Sequence, residues 1–206
     1  KKEIGNYQDL RLEKVEFEEK KLGDLFDFKT GDNKYTKNYI KNNPGIYPVL
    51  SGSLKNEGIA GYINSYDYEG ECITYNKDNE SRAFYRPKGF KFSMNSHHVA
   101  LFKKEGVEVD YKYCTYALNF LFLKNKYGWE RPANPNVVAG ENIFIPKPIK
   151  DDEGNEIYSS YELQKVIAEF IEFVFGKFDY IKNEADERIE KAHKLRTTLL
   201  TKLFRR

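Results

Sequence analysis

The side chains that could catalyse a reaction are few in this sequence, and their spacing does not fit that chemistry. Asp67, Glu71 and Lys77 are the residue types of a nuclease carboxylate–lysine cluster. In such a cluster the second acid and the lysine usually stand one residue apart on a strand, which is not the case here. The segment "ANPNVVAG" contains Asn-Pro but lacks the aromatic residue that an amino-methyltransferase stacks on its target base. Since no glycine-rich phosphate loop is found either, we predict no catalytic residue, no metal site and no cofactor.

His97 and His98 form the only pair of adjacent histidines. Neighbouring side chains of a strand point to opposite faces, so the two cannot hold one metal ion together. We expect one to be packed and the other to be exposed. A structural or surface role is the simpler interpretation, and a contact with a nucleic-acid base or phosphate is the alternative.

Composition places the chain among ordinary globular proteins. Its 206 residues suffice for one domain with an appendage, and aromatic residues make up 16% of them. Cys72 and Cys114 form no CxxC pair, so we expect a reducing, cytoplasmic setting, and no apolar run has the length of a membrane span. The chain begins with Lys1 and its only methionine is Met94, which indicates a processed product or a section of a longer protein.

The net charge of +2 reveals little about partners, but its distribution is uneven. Seven basic and two acidic residues lie between Lys77 and Lys104. This local surplus predicts a basic face.

The pattern of apolar residues predicts an α+β fold. Residues 1–20 are a polar lead-in, either a strand or a linker, and residues 21–150 form a strand-rich globular domain with a few short helices. Between Ile46 and Phe102, short β-branched and aromatic runs alternate with Gly, Asn, Asp and Pro, which is typical of an antiparallel or mixed sheet. Residues 110–127 change to a helical period. The predicted buried face of that helix consists of Tyr113, Tyr116, Ala117, Phe120 and Leu121.

After a linker at residues 151–160, residues 161–206 carry a helical pattern to the end of the chain. Such a helix is too long for one small domain to cover, so its apolar stripe needs a second helix, in a coiled coil. Gly176 could kink or break it, and folding back as a hairpin there is the alternative. The predicted pairing residues are Ile181, Ala185, Ile189, Ala192, Leu199 and Leu203.

Several motifs, taken in order, resemble the specificity subunits of type I restriction–modification systems. "KKLGDLFDFKTG" and the segment 47–102 resemble a target recognition domain of that family, with Tyr47-Pro48, Ser51-Gly52, Gly61-Tyr62 and Tyr68-Glu69-Gly70 at the family's positions. "IFIPKPI" followed by "ELQKVIAEF" resembles the join to its spacer helix, and "LRTTLLTKLF" resembles its C-terminal helix. The join departs from the family, because Leu163-Gln164 replaces Glu-Gln and "KDDEGNEIYSS" is inserted before it.

The resemblance implies a non-catalytic module that recognises one half of a split target in double-stranded DNA. It also implies that the long helix pairs with another helix, sets the distance between two recognition domains and holds DNA methyltransferase subunits. This chain carries one domain and one helix, where a full subunit carries two of each. The second helix would come from another specificity half or from a homodimer.

DNA binding requires Lys and Arg at phosphates and polar side chains at base edges. Arg82 and Arg131 could recognise guanine, and the asparagines adenine. The candidate contacts in the polar loops are Lys29, Lys34, Lys37, Ser51, Ser53, Lys55, Asn56, Asn76, Lys77, Asn79, Ser81, Arg82, Asn95, Ser96, His97, Arg131, Asn134 and Asn136.

Two other functions fit the same sequence. The chain could be the recognition segment of a single-chain type II restriction–methylation enzyme with its catalytic domains upstream. It could also be an adaptor that binds protein through a coiled coil, which predicts a dimer without affinity for DNA.

Overall fold

The structure, a computed structural model, describes the backbone of residues 15–204 and the side chains of residues 15–196. The strands, numbered in chain order, are β1 (Phe17–Lys21), β2 (Phe26–Thr30), β3 (Pro44–Leu50), β4 (Ile59–Ile63), β5 (Tyr68–Glu69), β6 (Cys72–Asn76), β7 (Ala83–Arg86), β8 (Lys91–Met94), β9 (His98–Lys103), β10 (Asn142–Pro146), β11 (Ile149–Lys150) and β12 (Glu156–Tyr158). The α-helices are α1 (Leu22–Leu25), α2 (Lys37–Asn42), α3 (Tyr111–Lys124), α4 (Pro135–Ala139) and α5 (Ser160–Phe204).

Two four-stranded sheets form the body of the domain. One is antiparallel with the strand order β2-β9-β6-β7, and the other is mixed with the order β4-β3-β8-β5. Their short, β-branched and aromatic strands confirm the predicted antiparallel or mixed arrangement. A strand-rich domain followed by one long helix confirms the predicted α+β fold.

The two central strands of the antiparallel sheet are buried on both faces. Ile73, Tyr75, Val99 and Leu101 pack in one core cluster with α3. Because successive side chains alternate, the residues between them face the mixed sheet, where Cys72 and Ala100 join a second cluster with Leu50, Phe92 and Met94. The same inter-sheet layer also receives polar side chains, which is where the candidate site begins.

Helix α3 covers the outer face of the antiparallel sheet and confirms the predicted helix in residues 110–127. Its N-terminus is capped by Asp110, whose carboxylate accepts a hydrogen bond from the Tyr113 amide at 2.8 Å. The predicted buried face is wrong in one position, because Phe120 is 62% exposed while Leu118 is fully buried. The sheet contacts a face that is rotated from the one expected.

Residues assigned to the lead-in and the linker form additional sheet structure. Strand β1 pairs antiparallel with β10, from Phe17 opposite Pro146 to Lys21 opposite Asn142. Strands β11 and β12 form a hairpin whose turn is held by Asp151, which accepts the Asn155 amide at 2.8 Å. Residues 1–14 lie outside the described part of the chain, and the boundaries at 20, 150 and 160 stay predictions.

Helix α5 starts with a capping box. The Ser159 hydroxyl accepts a hydrogen bond from the Glu162 backbone amide at 3.2 Å, and the Glu162 carboxylate accepts one from the Ser159 backbone amide at 2.8 Å. The side chain of Gln164 is fully buried, and its Oε1 accepts a hydrogen bond from the Asp110 backbone amide at 2.9 Å. This bond joins α5 to the start of α3. Leu163 and Ile167 are buried beside it. These contacts fix the direction in which the helix leaves the domain.

Beyond its first turns, α5 projects from the domain. Every described side chain from Phe175 to Arg196 is exposed, and the 45 residues of the helix span roughly 68 Å. The helix runs through Gly176 without a break, so the hairpin alternative is wrong. In the described residues, no helix combines the length and the apolar character that crossing a bilayer requires.

Candidate nucleic-acid interface

Four loops meet at one edge of the two sheets because of the strand directions. Strands β3 and β8 run parallel with Leu50 opposite Met94, so both end at this edge. Strand β6 ends at Asn76, opposite the first residue of β9, and β2 ends at Thr30, opposite Val99. The loops that follow these strands therefore lie together. We call residues 31–37, 51–58, 77–82 and 95–97 the loop edge.

Backbone hydrogen bonds hold these loops to one another. The Asp32 amide donates to Met94 O at 2.8 Å, the Asn95 amide to Leu50 O at 2.9 Å, and the Lys77 amide to His97 O at 2.9 Å. Gly31 passes so close to the 95–97 turn that a Cβ atom would lie 2.1 Å from Asn95 O. Only glycine fits at such an approach, so this residue is needed where β2 meets the edge.

Side chains add further links between the loops. The His97 ring contacts the Asp78 carboxylate, and Asn79 Nδ2 donates to Gly52 O at 3.2 Å. His97 is exposed and His98 is fully buried, which confirms that the two histidines face opposite ways. The buried ring hydrogen-bonds through Nδ1 with Ser51 O at 2.9 Å. Burial lowers the pKa of His98 to about 3, so the ring is neutral near pH 7.

A surface groove of about 390 Å³ runs along the loop edge. It brings together five of the predicted contact residues, which come from four separate loops: Lys37, Ser51, Asn79, Asn95 and His97. The groove thus presents amide, hydroxyl, imidazole and ammonium groups, which bind phosphates and base edges, and it also contains the Asp78 carboxylate beside His97.

Trp129 also lines this groove and was missed from the sequence. Its side chain is 78% exposed, although a tryptophan is usually packed. Its position in "GWERPANPN", a segment rich in proline and asparagine, could have indicated a tryptophan on an exposed loop. Gly128 beside it leaves no room for a side chain, since a Cβ atom would lie 2.4 Å from Asn79 O.

Most other predicted contacts lie on or near this edge. Lys29 is exposed on β2, while Lys34 lies 3.8 Å from both Asp32 and Asp67. Arg82 is exposed and 3.8 Å from Glu80. The remaining exposed or half-buried candidates on the loop edge are Ser53, Lys55, Asn56, Lys77 and Ser96.

The loop that follows α3 is attached to the edge through the Ala133 amide, which donates to Lys77 O at 2.9 Å. It carries the candidates Arg131 and Asn134, and the candidate Asn136 follows in α4; all three are exposed. Arg131 stacks 4.5 Å from the Tyr127 ring centre and lies 3.5 Å from Glu141. These three residues are therefore within the same surface region, although they do not line the groove.

Asn76 and Ser81 are buried and have internal partners. The side-chain amide of Asn76 donates a hydrogen bond to Glu80 O at 3.1 Å and accepts one from the Arg82 backbone amide at 2.9 Å. The Ser81 hydroxyl donates a hydrogen bond to Lys77 O at 3.3 Å. Both shape the 77–82 loop from within. We therefore leave them out of the contact set proposed below.

The basic surplus between Lys77 and Lys104 does not form one face. Lys77 and Arg82 lie at the loop edge, whereas Lys88 and Lys91 lie at the opposite ends of β7 and β8. Lys103 Nζ donates to Val109 O at 3.1 Å. The prediction of a single basic face was wrong because antiparallel strands send alternate turns to opposite edges.

A nuclease-like cluster is also absent from the described residues. Glu71 precedes β6 and Lys77 follows it, so a whole strand of about 17 Å separates them. Asp67 instead accepts a hydrogen bond from Tyr35, and Glu71 accepts one from Tyr85 at 2.7 Å. Nowhere in the described residues do three or more His, Cys, Asp or Glu side chains come together in a group fit to hold a metal ion.

The projecting part of α5 carries an exposed apolar stripe. Of the predicted pairing residues, Ile181, Ala185, Ile189 and Ala192 are exposed. Leu199 and Leu203 lie on the helix, but their side chains are outside the described set. Pairs such as Glu190 and Lys194, 2.6 Å apart, support the helix with an acid four residues before a base.

Comparison with known proteins gives one family. The model of the type I restriction modification DNA specificity domain matches residues 14–191. The specificity subunit of the type I restriction enzyme MpnII from Mycoplasma pneumoniae is 31% identical over 180 residues, which are 84% of this chain and 51% of that protein. S.MpnORF507P of the same organism, assigned as a type I specificity subunit, is 33% identical over 129 residues, or 61% of this chain and 34% of that protein.

A solved structure shares the fold. The crystal structure of the S subunit of a type I restriction–modification system from M. genitalium superimposes with a TM-score of 0.57 at 18% identity. The match covers 90% of this chain and 47% of that one, so this chain spans about half of the solved subunit. Since the family model matches most of the sequence, the chain belongs to the family of type I restriction modification DNA specificity domains.

Proposed function

We propose that the chain recognises one half of a bipartite DNA target for a restriction–modification system and has no catalytic role itself. The observation that carries this proposal is the convergence of four polar loops on one groove, with exposed Trp129 at its side. Loops fixed by their backbones present side chains at reproducible positions, which sequence recognition requires.

The loop edge divides into two kinds of contact. Lys29, Lys34, Lys37, Lys55 and Lys77 are assigned to phosphates, because a flexible ammonium binds as a point charge. The polar groups in the groove, Asn79, Asn95 and His97, are assigned to base edges, as is the exposed Asn56 of the 51–58 loop. The asparagines are suited to adenine. Arg82 and Arg131 flank this region and are assigned to guanine or to phosphate.

The long helix provides the second part of the proposal. Its exposed stripe would pair with the helix of another specificity half or of a second copy, and so would set the distance between two recognition domains. The same helices would hold the DNA methyltransferase subunits. The proposed setting is the cytoplasm, where these partners and the DNA are present.

The experiment is selection from a random-sequence DNA duplex library at two salt concentrations. We expect a short motif to be enriched, and we expect the affinity to fall steeply with salt as counterions are released from the phosphates. A motif recovered as two spaced copies would also show that the chain pairs through α5. Lys37→Ala should lower the slope of log affinity against log salt by about 1, whereas Lys88→Ala at the opposite edge should leave it unchanged.

Absence of both enrichment and salt-dependent binding would refute the proposal for this chain. The adaptor function would then account for the exposed helix. A chain that binds DNA specifically but belongs to a single-chain restriction–methylation enzyme would be distinguished by its full reading frame, which would encode a cofactor loop and an Asn-Pro-Pro-aromatic motif upstream.

A further inference from the structure

The loop between β3 and β4 holds an unusual backbone conformation at the loop edge. Asn56 and Glu57 have φ angles of 50° and 51°, and Gly58 follows with 86°. The left-handed region is uncommon for residues other than glycine, and two such residues in succession need contacts that hold them there. The source of those contacts lies beneath the loop, in the layer between the two sheets.

Arg86 supplies them from the last position of β7. Its guanidinium donates from Nη1 to the Glu57 carboxylate at 2.9 Å and from Nη2 to the Glu57 carbonyl at 2.5 Å. Its third donor, Nε, binds the Thr74 hydroxyl at 3.0 Å. The Arg86 side chain thus binds both the carboxylate and the backbone carbonyl of Glu57, and its bond to Thr74 holds it against β6.

The surroundings of Arg86 hold its side chain in one position. The side chain is only 3% exposed, and its guanidinium carbon lies 5.2 Å from the ring centres of both Phe84 and Phe90. Glu57, by contrast, is 67% exposed. The ion pair therefore connects the buried layer to the surface loop, and Arg86 itself cannot reach a ligand outside the domain.

The start of the same loop has its own anchor. The buried His98 ring binds Ser51 O at 2.9 Å, and the Ser51 amide donates to Gly58 O at 2.8 Å, which closes the base of the loop. Between the two anchors lie Ser53, Lys55 and Asn56, and the last two are exposed. The loop is consequently held at its base and at its strained turn, while its polar side chains face outward.

We propose that Arg86 is a positioning residue for DNA sequence recognition, which it serves by fixing Asn56 and its neighbours in the orientation that contacts bases. The inference rests on the function proposed above and assigns a role to a residue that does not touch DNA. Lysine could not replace it, because a single ammonium cannot hold the carboxylate, the carbonyl and the Thr74 hydroxyl in one plane.

Three variants of the 206-residue chain test this role, each compared with the unmutated chain by selection from the random duplex library. Arg86→Lys keeps the positive charge but replaces the planar guanidinium and its three bound donors with a single ammonium. Glu57→Gly tolerates the positive φ and removes the carboxylate, so of the two contacts that Arg86 makes with residue 57 only the bond to the backbone carbonyl remains. Glu105→Gln removes an exposed acid from the turn that follows β9, at the opposite edge of the sheet, and serves as the control.

We expect the first two variants to lose roughly tenfold in discrimination at a contiguous subset of motif positions, the loss of about one good base contact. Their affinity for unrelated duplexes should change much less, which a purely structural role would not produce. The melting temperature should fall, because Arg86 loses buried contacts, and it is measured to confirm that both variants are folded at the assay temperature. Amide hydrogen exchange of residues 52–58 should become faster in Glu57→Gly. The control should retain the full preference at every position.

The outcomes separate this inference from the proposed function. If the unmutated chain selects no motif, the proposed function fails. If it selects a motif that folded Arg86→Lys and Glu57→Gly reproduce at every position, the function stands and the role of Arg86 is refuted. Should Arg86→Lys not fold, Glu57→Gly decides alone, because its side chain is largely exposed.

Discussion

At the scale of single residues, Trp129 is the side chain whose exposure is hardest to explain without a ligand. It lies in the groove beside Asn79 and His97 and offers a large flat surface with one N–H donor. We predict that Trp129→Ala weakens binding to the selected duplex by roughly tenfold, as loss of an aromatic anchor does. Fluorescence anisotropy with labelled duplexes measures the change.

The matched control for this variant is Ile46→Ala. Ile46 is 77% exposed, like Trp129, but lies near the start of β3 and so away from the loop edge. Equal loss of affinity in both variants would contradict a specific role of the tryptophan. Neither should change the free energy of unfolding by more than about 0.5 kcal/mol, since both side chains are exposed.

His98 gives a prediction about pH, because it is buried in neutral form between the sheets. Desolvation and the nearby charge of Arg86 lower its pKa from 6.5 to about 3, although the hydrogen bond with Ser51 O acts in the opposite direction. Between these values the unfolded chain binds one more proton than the folded chain. The stability is therefore complete above about pH 6.5 and decreases as the pH falls through this window, by up to about 1.4 kcal/mol per pH unit.

Urea denaturation at pH 7 and pH 5 tests this linkage. We expect His98→Gln to be less stable at pH 7 but to lose less stability than the unmutated chain between the two pH values. Thr74→Val changes the same buried layer without a titrating group and should keep the unmutated pH dependence. An unchanged pH dependence in His98→Gln would show that this ring does not titrate in the unfolding transition.

At the scale of elements, Gly176 is the residue of α5 with the lowest intrinsic helix propensity. Gly176 lies in its interior, and a Cβ atom there would meet nothing within 4 Å. Gly176→Ala should therefore increase helix stability by up to about 1 kcal/mol. Circular dichroism during thermal unfolding measures this. A destabilised variant would mean that a partner helix packs against the glycine.

The elements that the sequence predicted well are those with a long periodic signal. Helix α3, helix α5 and the run of short strands each repeat their pattern over many residues. Helix α2 could not be predicted, because it is only six residues long, buries none of them and depends on the cap at Thr36. Strand β1 is marked only by its pairing with β10, a contact between distant segments that no local pattern encodes.

The same reasoning applies to the candidate site. Polar loops are visible in a sequence, and strand direction then brings them to one edge, so residues such as Lys37 and His97 could be predicted. The clamp of Arg86 on Glu57 could not, because it joins two residues on different elements and looks like an ordinary surface pair. Likewise, Asn76 resembles its exposed neighbours in sequence, and only the inter-sheet layer makes it buried.

At the scale of the whole molecule, the projecting part of α5 is the largest exposed apolar feature that a partner chain could cover. The exposed residues Phe178, Ile181, Ala185 and Ala192 recur at intervals of three, four and seven along its length. Such spacing is typical of the seam of a coiled coil, so we expect these residues to meet a partner helix while the charged residues between them remain in solvent. We expect a second copy of the chain to supply that partner helix when no other helix is present.

We therefore predict a dimer in sedimentation equilibrium that Ile181→Glu converts to a monomer, because each charge would be buried in the seam without a partner. Glu187→Gln, on the charged side of the same helix, is the control and should leave the dimer intact. The monomer should still bind a single half-site, but it should lose the tighter binding that two linked domains have for two spaced copies. A variant that stays dimeric would place the pairing surface elsewhere on the molecule. A monomer that retained tight binding to spaced copies would contradict the role of the helix in setting the distance between half-sites.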